Sequence, residues 1–251
     1  MESTAQAVVD GRPGVLVAAT GLTRYFGDRV AVDGVDLVVR RGEIYGIVGP
    51  RGAGKSTVLR LLAGRLAATS GEVRVVRRSP YDRGELDRVA ALVECPALPR
   101  DGSGSAVLRS LTGYGQSRDT VPAQASGGPI SDVTPARAEA VLETVGLSDR
   151  AEWAAGALPS AATWRFGIAA ALLDDPELLL LDEPIAGVDP AGVRELGRLL
   201  RSLAGWGHTV VIASRNPGRA RTLCDRVGRM SHGRLVAEER SPRRWRRTWS
   251  V

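Results

Sequence analysis

The stretch GPRGAGKST, residues 49–57, constrains the fold more than any other part of this chain. It fits the pattern G-x-x-x-x-G-K-[ST]. Before it stands a short apolar run, GEIYGIVG. After it, Val58, Leu61, Leu62 and Leu66 recur at helical spacing. Strand, glycine-rich loop and helix in that order form a phosphate cradle. Gly49, Gly52 and Gly54 let backbone N–H groups turn inward, and the helix N-terminus adds positive potential. Lys55 is the only lysine among 34 basic residues. Its ammonium, on a slim stem, reaches β- and γ-phosphates from within the loop, where a planar guanidinium is no equivalent. Ser56 offers a hydroxyl to Mg²⁺, and Pro50, Arg51, Ala53 and Thr57 complete the expected nucleotide-binding set.

A loop of this kind needs a metal-binding carboxylate at the end of a neighbouring strand. The run LLLLDEP, residues 178–184, supplies one in Asp182, and Glu183 beside it can act as general base toward an attacking water. The unbroken leucines suit a strand buried on both faces of a parallel sheet. Other strand patterns cover residues 15–26, 31–40, 71–76, 89–94 and 208–214, and helical ones 135–147, 163–173 and 189–207. The last helix starts at Asp-Pro and places Val193, Leu196, Leu199, Leu200 and Leu203 on one face. Strands alternating with helices predict an α/β fold with a mostly parallel sheet. Residues 101–131 turn polar and rich in Gly, Ser and Pro, which predicts a flexible insertion rather than a core element.

Composition narrows the setting. A chain of 251 residues with 43% hydrophobic and 25% charged content can bury a sizeable core. Two cysteines, Cys95 and Cys224, are too few for a disulfide framework or a metal cluster, so a reducing compartment is expected. Neither a membrane-span-length apolar run nor a signal-like start is present, and both facts predict a cytoplasmic chain.

On the phosphate loop, the LLLLDEP strand and GVDP at residues 187–190, the sequence resembles the nucleotide-binding subunit of an ABC transporter, from about Val15 to Glu239. The resemblance implies a P-loop NTPase core, an attached antiparallel β region and an inserted helical subdomain at about 96–166. Residues 1–14 would form a flexible arm, 15–240 the ATP-binding domain and 241–251 a basic tail. Phe26 falls where the family stacks an aromatic on adenine. The resemblance also implies ATP and Mg²⁺ as ligands, a transmembrane permease and a second nucleotide-binding subunit as partners, and a peripheral place on the inner face of the cell membrane. No nucleic acid is expected. The tail, with Arg243, Arg244, Arg246 and Arg247 beside Trp245 and Trp249, suits a membrane surface, the alternative being a solvated tail.

Three positions depart from the family. Glu94 stands for the glutamine of the Q-loop and keeps an oxygen for the metal. LPSAA, residues 158–162, replaces the LSGGQ signature, with Pro159 at the serine; a one-residue slip would instead make Ser160 that serine. Arg215 stands at the switch histidine. It can reach a γ-phosphate as arginine fingers do, but it relays no proton near neutral pH. His208 and His232 are expected to be ordinary surface residues. These departures point to an asymmetric pair with a more standard partner. The alternatives are a regulatory subunit with little hydrolysis and a non-transport relative.

Overall fold

The computed structural model describes residues 14–81, 88–93, 103–110, 134–151, 153–154 and 160–241. Its strands are β1 (Val15–Phe26), β2 (Arg29–Arg40), β3 (Ile44–Val48), β4 (Ser70–Val75), β5 (Val89–Leu92), β6 (Leu178–Asp182), β7 (Thr209–Ser214), β8 (Arg226–Ser231) and β9 (Arg234–Arg240). Its α-helices are α1 (Lys55–Leu62), α2 (Gly104–Ser110), α3 (Pro135–Thr144), α4 (Ser160–Leu172), α5 (Pro190–Gly205) and α6 (Pro217–Arg221).

The central sheet runs β5-β6-β7-β3-β8-β9, parallel except for the antiparallel edge strand β9. A second, antiparallel sheet runs β2-β1-β4. The mostly parallel sheet and the antiparallel region agree with the sequence reading.

Side-chain alternation along the central strands divides the core in two. Leu178, Leu180, Val211, Tyr45 and Ile47 face one way and join Val58, Leu61 and Leu62 of α1 and Val32 and Leu37 of β2. Leu179, Leu181, Val210, Ile212 and Ile44 face the other way and join Ile168 of α4 and Leu196 and Leu200 of α5. The leucine run of β6 therefore has apolar partners on both sides. All five α5 residues assigned to one face are buried. Asp189 caps that helix by accepting from the Gly192 N–H at 3.0 Å, with Pro190 in its first turn.

Four features differ from expectation. The segment 101–131 is not wholly a loop: α2 lies within it, with Val107 and Leu108 buried among residues of α3, α4 and β5. Helix α1 ends at Leu62 rather than continuing to Leu66, because the chain turns left-handed at Gly64 and the Arg65 N–H bonds the Arg60 carbonyl at 3.0 Å. The hairpin β8–β9 and the short α6 were not read from the sequence. His208 is half-buried, its ring Nδ1 2.6 Å from the Pro176 carbonyl, whereas His232 is exposed in the β8–β9 turn, as expected. Among the described residues no helix is long and apolar enough to cross a membrane. The arm, the tail beyond Ser241, Glu94, Leu158 and Pro159 lie outside the described residues.

Candidate functional site

Parallel register sets the site. Asp182 of β6 pairs with Ala213 of β7, and Val48 of β3 pairs with Ser214. The residues just past these strand ends therefore share one edge: Gly49 after β3, Glu183 after β6 and Arg215 after β7. Two backbone bonds hold that edge, Glu183 N–H to the Ala213 carbonyl at 2.9 Å and Gly49 N–H to the Ser214 carbonyl at 3.2 Å. In open parallel sheets, ligands bind beyond the carboxyl ends of the strands.

The loop wraps against neighbouring backbone. A Cβ at Gly49 would stand 2.3 Å from the Met230 carbonyl oxygen, and one at Gly54 2.3 Å from that of Ala31. Gly54 is also left-handed, at φ 100, and is the N-cap of α1 without a side-chain cap bond. The first N–H groups of α1 thus stay open to an anion. The Gly233 N–H donates to the Ala53 carbonyl at 3.1 Å, so the turn of the unforeseen β8–β9 hairpin buttresses the loop.

Lys55 is buried at 6% exposure, and its Nζ donates to the carbonyls of Gly49 and Pro50, both at 2.9 Å. Burial pulls its pKa below the ordinary lysine value; the charges of Glu183 and Asp182 oppose that, and Arg215 adds to it. Asp182 is buried at 8% exposure. Burial raises its carboxyl above the ordinary range, a hydrogen bond from Ser56 opposes the rise, and Glu183 adds to it. Its Oδ1 is buried without a hydrogen-bond partner. A buried carboxylate oxygen left open beside a serine hydroxyl fits a hard cation with oxygen ligands.

Glu183 has φ 54, a left-handed conformation uncommon outside glycine, Asn and Asp, and such outliers cluster at active sites. Its carboxylate is held from one residue: Arg215 N–H donates to Oε2 at 3.1 Å, and Arg215 Nε lies 3.2 Å from Oε1. The structure thus brings Lys55, Ser56, Asp182, Glu183 and Arg215 together.

Phe26 ends β1 at 48% exposure, with the Arg24 guanidinium 4.8 Å from its ring centroid. Across the hairpin it pairs with Arg29, whose Nη2 comes within 3.8 Å of the point where a Cβ on Gly52 would stand. The hairpin tip therefore overhangs the loop. Sequence reasoning missed Arg29; its pairing with Phe26 across a two-residue turn was the available signal.

One stability measurement checks the cation reading. Asp182→Asn should raise the melting temperature of the nucleotide-free chain by a few degrees, because it removes a buried charge with an unmatched oxygen. Relief of about 1 kcal/mol, the low end for such a group, moves Tm by roughly 2–4 °C in a domain this size. The same variant should lose the extra stabilisation that Mg²⁺ adds to nucleotide. A lower Tm with metal stabilisation intact would count against Asp182 as a ligand.

A family model described as ABC transporter matches residues 32–186. The bacitracin transport ATP-binding protein BcrA of Bacillus licheniformis is 34% identical over 227 residues, covering 89% of this chain and 69% of that protein. A fluoroquinolones export ATP-binding protein of Mycobacterium tuberculosis is 33% identical over 244 residues, covering 94% and 75%. A Nod factor export ATP-binding protein of Rhizobium sp. is 32% identical over 224 residues, covering 89% and 70%. Among solved structures, MJ1267, an ATP-binding cassette of an ABC transporter in its ADP conformation, matches at TM-score 0.77 and 24% identity over 90% of this chain and 91% of that one. The dimeric cassette MJ0796 bound to ADP and Pi matches at TM-score 0.71 and 22% identity, over 90% and 99%. At these identities the structural likeness speaks for the fold.

Proposed function

The chain belongs to the ABC transporter family of ATP-binding proteins, and from that premise we propose that it is the ATP-hydrolysing subunit of a membrane exporter. The observation that supports hydrolysis, beyond binding, is Glu183 next to Asp182 at the end of β6, with the charges of both acting on Lys55 at the start of α1. The relatives' names support export, since they speak of bacitracin transport, fluoroquinolones export and Nod factor export.

Each residue has a role in this reading. The loop 49–57 and Lys55 take the β- and γ-phosphates. The open face of Phe26 stacks on adenine, with Arg24 on the ring's other side. Ser56 and Asp182 would hold Mg²⁺, which when bound neutralises phosphate charge; Glu94 is a third oxygen donor by sequence alone. Glu183 accepts a proton from water as the water oxygen bonds the γ-phosphorus. The bond to the bridging oxygen breaks with its electron pair going to ADP, and the proton passes to the released phosphate.

The chain works in a head-to-tail pair and under a transmembrane permease, at the cytoplasmic face of the membrane. A partner with a standard signature suits it better than a second copy. In a homodimer both sites would face LPSAA and both would carry Arg215, whereas in a mixed pair each site lacks only one part. A regulatory role with little turnover is the second reading, and the engagement of Glu183 by Arg215 favours it.

Purification of the full chain from its native membranes in mild detergent tests the proposal. A polytopic membrane protein and a second ATP-binding chain should co-purify in fixed ratio, with Mg²⁺-dependent ATP hydrolysis. Recovery with ribosomes or DNA and no membrane protein would overturn it.

A further inference from the structure

Arg215 holds Glu183 in an arrangement that its neighbours explain. β6 and β7 are parallel and in register to Asp182 and Ala213. The next residue on one strand and the second next on the other then meet. The backbone arm of the clamp, N–H to Oε2, would exist for any non-proline residue at 215. The side-chain arm, Nε to Oε1 at 3.2 Å, needs arginine's geometry. Both oxygens of the carboxylate proposed to take a proton from water are thereby engaged.

The clamp is weak in water and close to the phosphate site. The Arg215 side chain is 54% exposed and that of Glu183 24%, and ion pairs of such exposure are easily exchanged. Arg215 and Lys55 also feel one another's charge, so the guanidinium lies within electrostatic range of the loop. A terminal phosphate entering beside Lys55 brings more negative charge than one carboxylate, and guanidinium binds phosphate oxygens strongly.

Resting on the ATPase reading above, we propose that Arg215 is a positioning residue with two alternative anions. In the nucleotide-free chain it holds the carboxylate of Glu183; a γ-phosphate draws the guanidinium away and frees that carboxylate for water. ADP, lacking this phosphate, leaves the pair closed. Arginine here therefore gives two properties together: preference for ATP over ADP, and a general base engaged until the triphosphate is present.

A double-mutant cycle on the full chain tests this, by equilibrium binding of Mg²⁺ with ADP or with ATP carrying a hydrolysis-resistant β,γ-imido bridge. Arg215→Ala should weaken binding of the triphosphate about tenfold and change ADP binding less than twofold. Glu183→Gln removes the competing anion, so it should tighten triphosphate binding several-fold when Arg215 is present and less than twofold in the Arg215→Ala background. Arg215→Lys, which keeps the charge, should recover part of the preference for triphosphate. Retained ADP affinity shows that each variant has folded. Equal tightening by Glu183→Gln in both backgrounds, or equal weakening of ADP and triphosphate by Arg215→Ala, would overturn the exchange. The general-base reading fails by a separate result, namely wild-type turnover by Glu183→Gln in the assembled transporter.

Discussion

Lys55→Ala is expected to lower ATP affinity by roughly 10²–10⁴-fold and to leave the fold intact. In the proposed reading the ammonium would supply charge-assisted hydrogen bonds to phosphate oxygens, each contributing about 1.5–3 kcal/mol, and the variant would lose about two of them. The fold should survive because burial already disfavours this charge. Its two bonds go to the Gly49 and Pro50 carbonyls of its own loop, so it ties no other element to that loop through them. Isothermal titration with ATP, alongside a melting curve, checks both halves. Unchanged affinity would mean that the loop does not hold the triphosphate.

Glu183→Gln is expected to retain ATP and lower turnover by roughly 10²–10⁴-fold, the usual scale for a positioned proton acceptor. Glutamine has the same shape and can adopt the same φ, but its amide takes no proton. Single-turnover hydrolysis by the assembled transporter, measured beside nucleotide binding, separates chemistry from affinity. An unaltered rate would assign the active base to another chain.

The parts legible in the sequence were those whose signal is local. The loop is a contiguous pattern, β6 an unbroken leucine run, and α5 a capped stripe of aliphatic residues, and all three stand where expected. Helix α2 was hidden because its seven residues include Gly104, Ser105 and Ser110, poor material for an isolated helix. Tertiary contacts hold it instead: Gly104 N–H bonds the Trp153 carbonyl at 3.1 Å, and Ser105 N–H that of Ala151 at 2.8 Å. Strand β9 was hidden because it is an edge strand rich in charge. Its Glu238 and Glu239 pair with Arg226 and Arg221, partners that only the folded register supplies. In the site, residue types were readable and their engagements were not. The clamp of Arg215 on Glu183 depends on how β6 and β7 align, and the unpartnered oxygen of Asp182 depends on what surrounds it.

The way Lys55 is held also bears on which anions can occupy the cradle. An ammonium has three N–H donors, and two of these already point at carbonyl oxygens of the loop itself. An idle cation in a nest of amides would gather any sulfate or orthophosphate from the cell. A lysine tied to its own loop gives up those bonds only for a ligand anchored elsewhere as well, by its base or by a chain of phosphates spanning the amides. Millimolar free phosphate should therefore compete poorly with ATP here, and the site would stay available among abundant small anions.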